Sequence, residues 1–170
     1  MNAYELCQRH VVTTRRHEDL NTAAWMMRER NVGCLVVVDP AGAFGGWRPV
    51  GMLTDRDIVT KVIARDFDPN TVVVEDVMSR NPPIVWSESP VEEALQRMTT
   101  LSIRRMPVVD DRGCLVGILA LDDIFQHLAH RVPYAATPIR PEMRLQPKLR
   151  GDPPQRTLPA QPGNIGIESI

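Results

Sequence analysis

Two nine-residue stretches hold the side chains best suited to chemistry. Gly51 to Val59, GMLTDRDIV, ends an apolar run and opens a helical one, with Thr54, Arg56 and Asp57 at the junction. Gly117 to Phe125, GILALDDIF, repeats the frame, with Ala120 where the threonine stood and Asp123 where the second carboxylate stood. A T-x-x-D spacing at a helix start has a simple reading as an N-cap. The hydroxyl accepts from the amide three residues on, and acidic side chains favour the positive helix end. A carboxylate can also accept the two vicinal hydroxyls of a ribose, because two acceptor oxygens match two donors. The second copy keeps the carboxylate and loses the hydroxyl, which capping alone does not readily explain.

A second pair of candidates is Arg104 and Arg105 in SIRRMPVVD, at the start of an apolar strand. They read either as a solvated strand end paired with acids or as a clamp for anionic phosphate oxygens. The matching first-copy positions are Gly33 and Cys34. Other chemistries find little support. His127 and His130 stand three apart on a helix with no third metal ligand nearby in sequence, and read as solvated surface. Cys7, Cys34 and Cys114 show no C-x-x-C spacing and read as reduced, partly buried thiols. GAFGG lacks the Lys-Ser/Thr of a phosphate-binding P-loop. An enzyme is therefore not expected.

The elements that position these residues come in two copies. VVTTRRHEDLNTAAWMMRERNVGCLVVVD lies over PPIVWSESPVEEALQRMTTLSIRRMPVVD without a gap, with Ala23 on Ala94, Met27 on Met98 and Asp39 on Asp110. Each copy alternates periods: a short β-prone run, an amphipathic helix, two strands around a hairpin and a second helix. The class is α/β (α+β), as two tandem β-α-β-β-α units over residues 4–66 and 67–131, each burying its apolar face with help from the other. Asp19, and Ser89 or Pro90 in the second copy, are placed to start the first helix. DFDPNTVVVEDVMSRNPP reads as the joining segment. Residues 132–170 carry eight of the fifteen prolines and read as an extended tail.

The 170 residues carry a net charge of −1, with 43% hydrophobic and 24% charged residues. That balance suits a globular domain and makes nucleic acid an unlikely principal partner. No run approaches the roughly 20 apolar residues of a membrane span, and no signal peptide is evident, so the expected location is cytoplasmic.

The doubled unit closely resembles the cystathionine-β-synthase (CBS) domain pair, or Bateman module. The pieces that carry the likeness are VVT, AAWMMRERNVGCLVVVD and VGMLTDRDIV, then VEDVMSRNPP, EEALQRM and IRRMPVVDDRGCLVGILALDDIF, over residues 4–130. The resemblance implies a stand-alone regulatory module that binds AMP, ADP, ATP or S-adenosylmethionine in clefts between the units. It also implies a homodimer acting on an unidentified regulated protein. It places ribose on Asp57 and Asp123, with Thr54 as hydroxyl partner in the first frame only. Phosphate falls on Arg104 and Arg105, with Arg56 as an extra cation. Adenine packs near Val12–Thr13 or Ile84–Val85 and near Val32–Gly33 or Ile103. Ala120 removes a hydroxyl contact of about 1 kcal/mol, and Pro82-Pro83 removes backbone donors. One competent site is therefore expected, with ribose on Asp57 and Thr54 and phosphate on Arg104 or Arg105 of the other copy. The alternative is a nucleotide-free dimerisation module, its helices meeting through Ala24, Trp25, Ile58 and Ile63 and through Leu95, Ile124 and Leu128.

Overall fold

The computed structural model describes residues 1–42 and 45–131; the proline-rich tail lies outside the described residues. The first unit contains β1 (Thr13–Thr14), α2 (Leu20–Glu29), β2 (Cys34–Pro40), β3 (Trp47–Thr54) and α3 (Asp55–Lys61). The second contains β5 (Val85–Trp86), α5 (Val91–Leu101), β6 (Arg105–Val109), β7 (Leu115–Ala120) and α6 (Leu121–Arg131). Both follow the order read from the sequence. In each, a parallel pair is followed by an antiparallel one: β1–β2–β3 and β5–β6–β7.

Local chemistry accounts for the element ends. Asp19 is the N-cap of α2 and accepts from the Thr22 amide at 2.8 Å, while Pro90 precedes α5 without a side-chain cap. Leu20, Ala23, Met26 and Met27 form the buried stripe of α2, as a 3.6-residue period requires. Helix α3 is shorter than its pattern: it stops at Lys61, and one 3₁₀ turn, Ile63–Arg65, follows.

Strand β2 has solvent on neither face. Leu35 and Val37 join the core of the first unit, under α2 and α3. Val36 and Val38 point the other way and meet Val11 and Leu115 in a cluster between the units. Alternation along one strand thus feeds two cores, which is why the run reads as continuously apolar. The second unit has its own core around Val85, Ala94, Met98, Met106, Val108, Leu119 and Ile124.

The joining segment is more structured than a linker. It contains a 3₁₀ turn (Pro69–Thr71), helix α4 (Val74–Val77) and strand β4 (Ser79–Arg80). β4 extends the first sheet, and Val74, Val77 and Met78 complete the first core. At the chain start, helix α1 (Ala3–Leu6) does the same for the second unit: Ala3 lies in the second core, and its amide donates to the Ser89 carbonyl at 2.9 Å. The short helix that precedes each unit in sequence therefore packs into the other unit.

Candidate functional site

A cleft of about 400 Å³ opens where the two units meet. Its floor is apolar: Val11 and Val12 before β1, Val32 and Gly33 before β2, and Ile118 on β7. Cys34 and Arg105, the first residues of β2 and β6, stand on its wall. Ala120, Asp122 and Asp123 close it from the second polar frame, and Gln8, His10 and Asn31 complete the lining.

Sheet register explains the assembly. Arg105 lies opposite Ala120 across the β6–β7 ladder, and Cys34 opposite Thr54 across β2–β3. The start of the second strand is thereby fixed beside the polar frame of its own unit. A matched hydrogen bond ties each junction: the Leu121 amide donates to the Arg104 carbonyl at 2.9 Å, and the Asp55 amide to the Gly33 carbonyl at 3.1 Å.

The two carboxylates differ in what they hold. Asp57 Oδ2 accepts from the Thr54 amide at 3.0 Å and the Thr54 hydroxyl at 2.6 Å, and its Oδ1 pairs with Lys61 at 2.9 Å. The Thr54 hydroxyl in turn accepts from the Asp57 amide at 3.0 Å, so the pair forms a full capping box. Burial pushes the Asp57 carboxyl up, but the hydrogen bonds from Thr54 and Lys61 outweigh it and hold the group below the usual carboxylate range. Asp123 is less committed. Its Oδ2 accepts from the Ala120 amide at 3.2 Å, and its Oδ1 meets only the Gln8 amide group, at a long 3.4 Å. It keeps acceptor capacity facing the cleft.

The expected site residues therefore separate. Asp123, Arg105 and Val32 line one cleft, with Val12 and Gly33 beside them. Thr54 and Asp57 bind each other instead, and Arg56 is exposed on α3. Thr13 is 1% exposed inside β1, and Ile84 offers its carbonyl to Arg97 at 2.7 Å. Arg104 is held by Asp122 at 2.8 Å on the surface. Register places Arg105 beside Ala120, in the frame of Asp123, just as it places Cys34 beside Thr54. In this cleft a carboxylate of the second unit and strand starts of the first line the same space.

Cys34 and Gln8 line the cleft without having been singled out as ligands. Cys34 had a signal: it occupies the position of Arg105 in the repeat. Gln8 had none, because only the exchange of α1 brings it to the second unit. Burial pushes the Cys34 thiol up, the nearby Arg105 pulls it down and Asp55 raises it further. His127 also departs from expectation. Its Nε2 is buried without a hydrogen-bond partner rather than solvated. Among the described residues no group of three His, Cys, Asp or Glu could hold a metal ion.

The family model of the CBS domain matches the chain twice, over residues 3–64 and 74–130. The chain belongs to the CBS domain family. An uncharacterised protein of Methanopyrus kandleri, MK0525, is 35% identical over 140 residues, covering 82% of this chain and 67% of that one. Hypoxic response protein 1 of Mycobacterium tuberculosis is 35% identical over 126 residues, covering 74% and 84%. Its structure, with two coordinated zinc ions, aligns at a TM-score of 0.64 over 75% of this chain and 98% of that one, at 34% identity. The CBS domain pair of protein MJ0100, solved with 5′-methylthioadenosine and S-adenosylmethionine, aligns at 0.65 over 77% and 98%, at 26% identity. A hexameric CBS-CP12 protein of bloom-forming cyanobacteria aligns at 0.62 over 74% and 69%, at 31% identity. Among the described residues no helix of this CBS pair is long and apolar enough to cross a membrane.

Proposed function

We propose that this CBS pair is a sensor of adenosine nucleotides that acts in trans, as a homodimer, on another protein. It is a binding module and not an enzyme. The observation that carries the reading is the pairing, in one cleft, of the open Asp123 carboxylate with the Arg105 guanidinium, over an apolar floor from the first unit. A carboxylate beside an apolar slot suits ribose and adenine, and a guanidinium suits phosphate. The capped state of Asp57 makes Asp123 the preferred ribose ligand. By repeat correspondence, a second cleft at Asp57 would draw on Thr54, Pro83, Ile103 and Arg104.

Thermal-shift titration with AMP, ADP, ATP and S-adenosylmethionine, with GTP as control, tests this. A ligand at 100 times its dissociation constant adds roughly 2.7 kcal/mol, which moves the midpoint by about 5–10 °C in a chain of this size. The shift should vanish in Asp123→Ala and persist in Asp57→Ala; the reverse pattern would restore Asp57 as the ribose ligand. No shift with any adenosine compound would favour a nucleotide-free dimerisation module. The exposed apolar residues on the helices, Val59, Leu101, Phe125 and Leu128, support that second reading.

A further inference from the structure

We infer that a cavity between α3 and α4 binds a free α-amino acid with an apolar side chain, held by Arg65 at its carboxylate and by Asp76 at its ammonium group. The inference is independent of the nucleotide reading, because this cavity lies within the first unit and shares no lining residue with the cleft at Asp123. It measures about 510 Å³, a size ordinary for small-molecule sites. It forms where the two units depart from each other. Helix α6 runs on to Arg131, whereas α3 stops at Lys61 and the chain turns back through a 3₁₀ turn and a left-handed Asp66. The Phe67 amide donates to the Val62 carbonyl at 3.1 Å, which fixes Phe67 on one wall. The joining segment supplies the facing wall with Val72 and with Asp76 and Val77 of α4.

The lining is apolar with a few charges. Val62 and Val77 are buried, Val72 is half-buried, and Phe67 is 57% exposed despite its large ring. Three charged side chains stand among them. Lys61 is committed, pairing with Asp57 at 2.9 Å and donating to the Val77 carbonyl at 2.7 Å. The Arg65 guanidinium has no partner among the described residues. Asp76 accepts from the Val73 amide at 3.1 Å through one oxygen and leaves the other open. One open cation and one open anion on an apolar lining match a zwitterion. A plain carboxylate would meet Arg65 but confront Asp76, and a plain amine would do the reverse. The three valines and the Phe67 ring then suit a side chain such as that of phenylalanine or leucine.

Calorimetric titration of the full chain with phenylalanine and leucine tests this, beside phenylpropanoate, which lacks the ammonium group, and phenethylamine, which lacks the carboxylate. Phenylalanine should bind about tenfold or more tightly than either analogue, since each analogue gives up one charge-assisted contact. Arg65→Gln should bring phenylalanine down to the affinity of phenethylamine. Asp76→Asn, which keeps an acceptor for the Val73 amide, should bring it down to that of phenylpropanoate. Both positions are exposed, so neither change disturbs a core. Equal binding of phenylalanine and its two analogues would overturn the inference, as would a preference for phenylalanine that survives both substitutions. So would the absence of binding by either amino acid at millimolar concentration, and none of these results bears on the nucleotide reading.

Discussion

At the scale of single residues, the two polar frames share a backbone role and differ in spare capacity. Each aspartate accepts from the amide three residues before it, Thr54 in one and Ala120 in the other, and so holds its helix start. Only Asp57 has both oxygens closed at 3.0 Å or less, by Thr54 and Lys61. Thr54→Ala should therefore cost about 1 kcal/mol of stability, the usual loss of a hydroxyl cap, read as a lower urea midpoint with unchanged slope. The Asp57 carboxyl is held below its ordinary range, so its folded value lies under its unfolded value of about 3.9. Such a group contributes stability that is fully present above the unfolded value and is lost as pH falls through the folded one. The stability gap between the native chain and Asp57→Asn should be open at pH 7 and narrow at pH 3. A gap that stays constant would show that the carboxylate's charge does no work in the fold.

At the scale of elements, the exchange of short helices depends on two glycines at matching positions. A Cβ on Gly117 would run into the Cys7 side chain and come within 3.1 Å of the Gln8 carbonyl. A Cβ on Gly51 would run into Met78 and come within 3.3 Å of the Ser79 carbonyl. These glycines are needed for the close approach of the chain that follows α1 or α4. Gly117→Ala and Gly51→Ala should each cost about 1–3 kcal/mol, with loss of cooperativity absent, measured by chemical denaturation. The sequence announces the two glycines through the repeat but not what they meet. Helices of four residues fall below any periodic window, and nothing local in AYEL says that Ala3 belongs under Val91 rather than beside β1. The longer elements were legible because α2 and α5 carry a clear helical period and the four central strands are apolar runs bounded by turn residues. The cleft was legible in its residue types and less so in its pairing. That Arg105 lies beside Ala120, at the start of its own unit's polar frame, follows from the β6–β7 register, which the repeat alignment alone does not specify.

At the scale of the whole molecule, the distribution of apolar side chains separates an interior already closed from a surface that is open. Ile124 is 1% exposed in the second core and belongs inside the chain rather than between chains, while Ile58 and Leu95 are partly buried against their own cores. The remaining apolar surface includes Val59 and Ile63 at and beyond the end of α3, Leu101 on α5, and Phe125 and Leu128 on α6, each 44–56% exposed. Val59 and Phe125 are repeat equivalents, so the same place on both units presents an apolar side chain to solvent. Val59 borders a groove of about 420 Å³ between α2 and α3, together with Ala24, Met27 and Ile58. Repeated apolar patches of this kind are what a self-complementary twofold contact uses, and they favour the homodimer proposed above. Sedimentation of the native chain should then give twice the monomer mass at micromolar concentration. Phe125→Glu and Val59→Glu should each convert it to monomer while leaving the thermal midpoint of the fold within a few degrees, since both positions lie outside the cores. A native chain that sediments as a monomer would instead mean that these faces meet a different partner, and that any nucleotide signal leaves the molecule through that contact rather than through a change in dimer geometry.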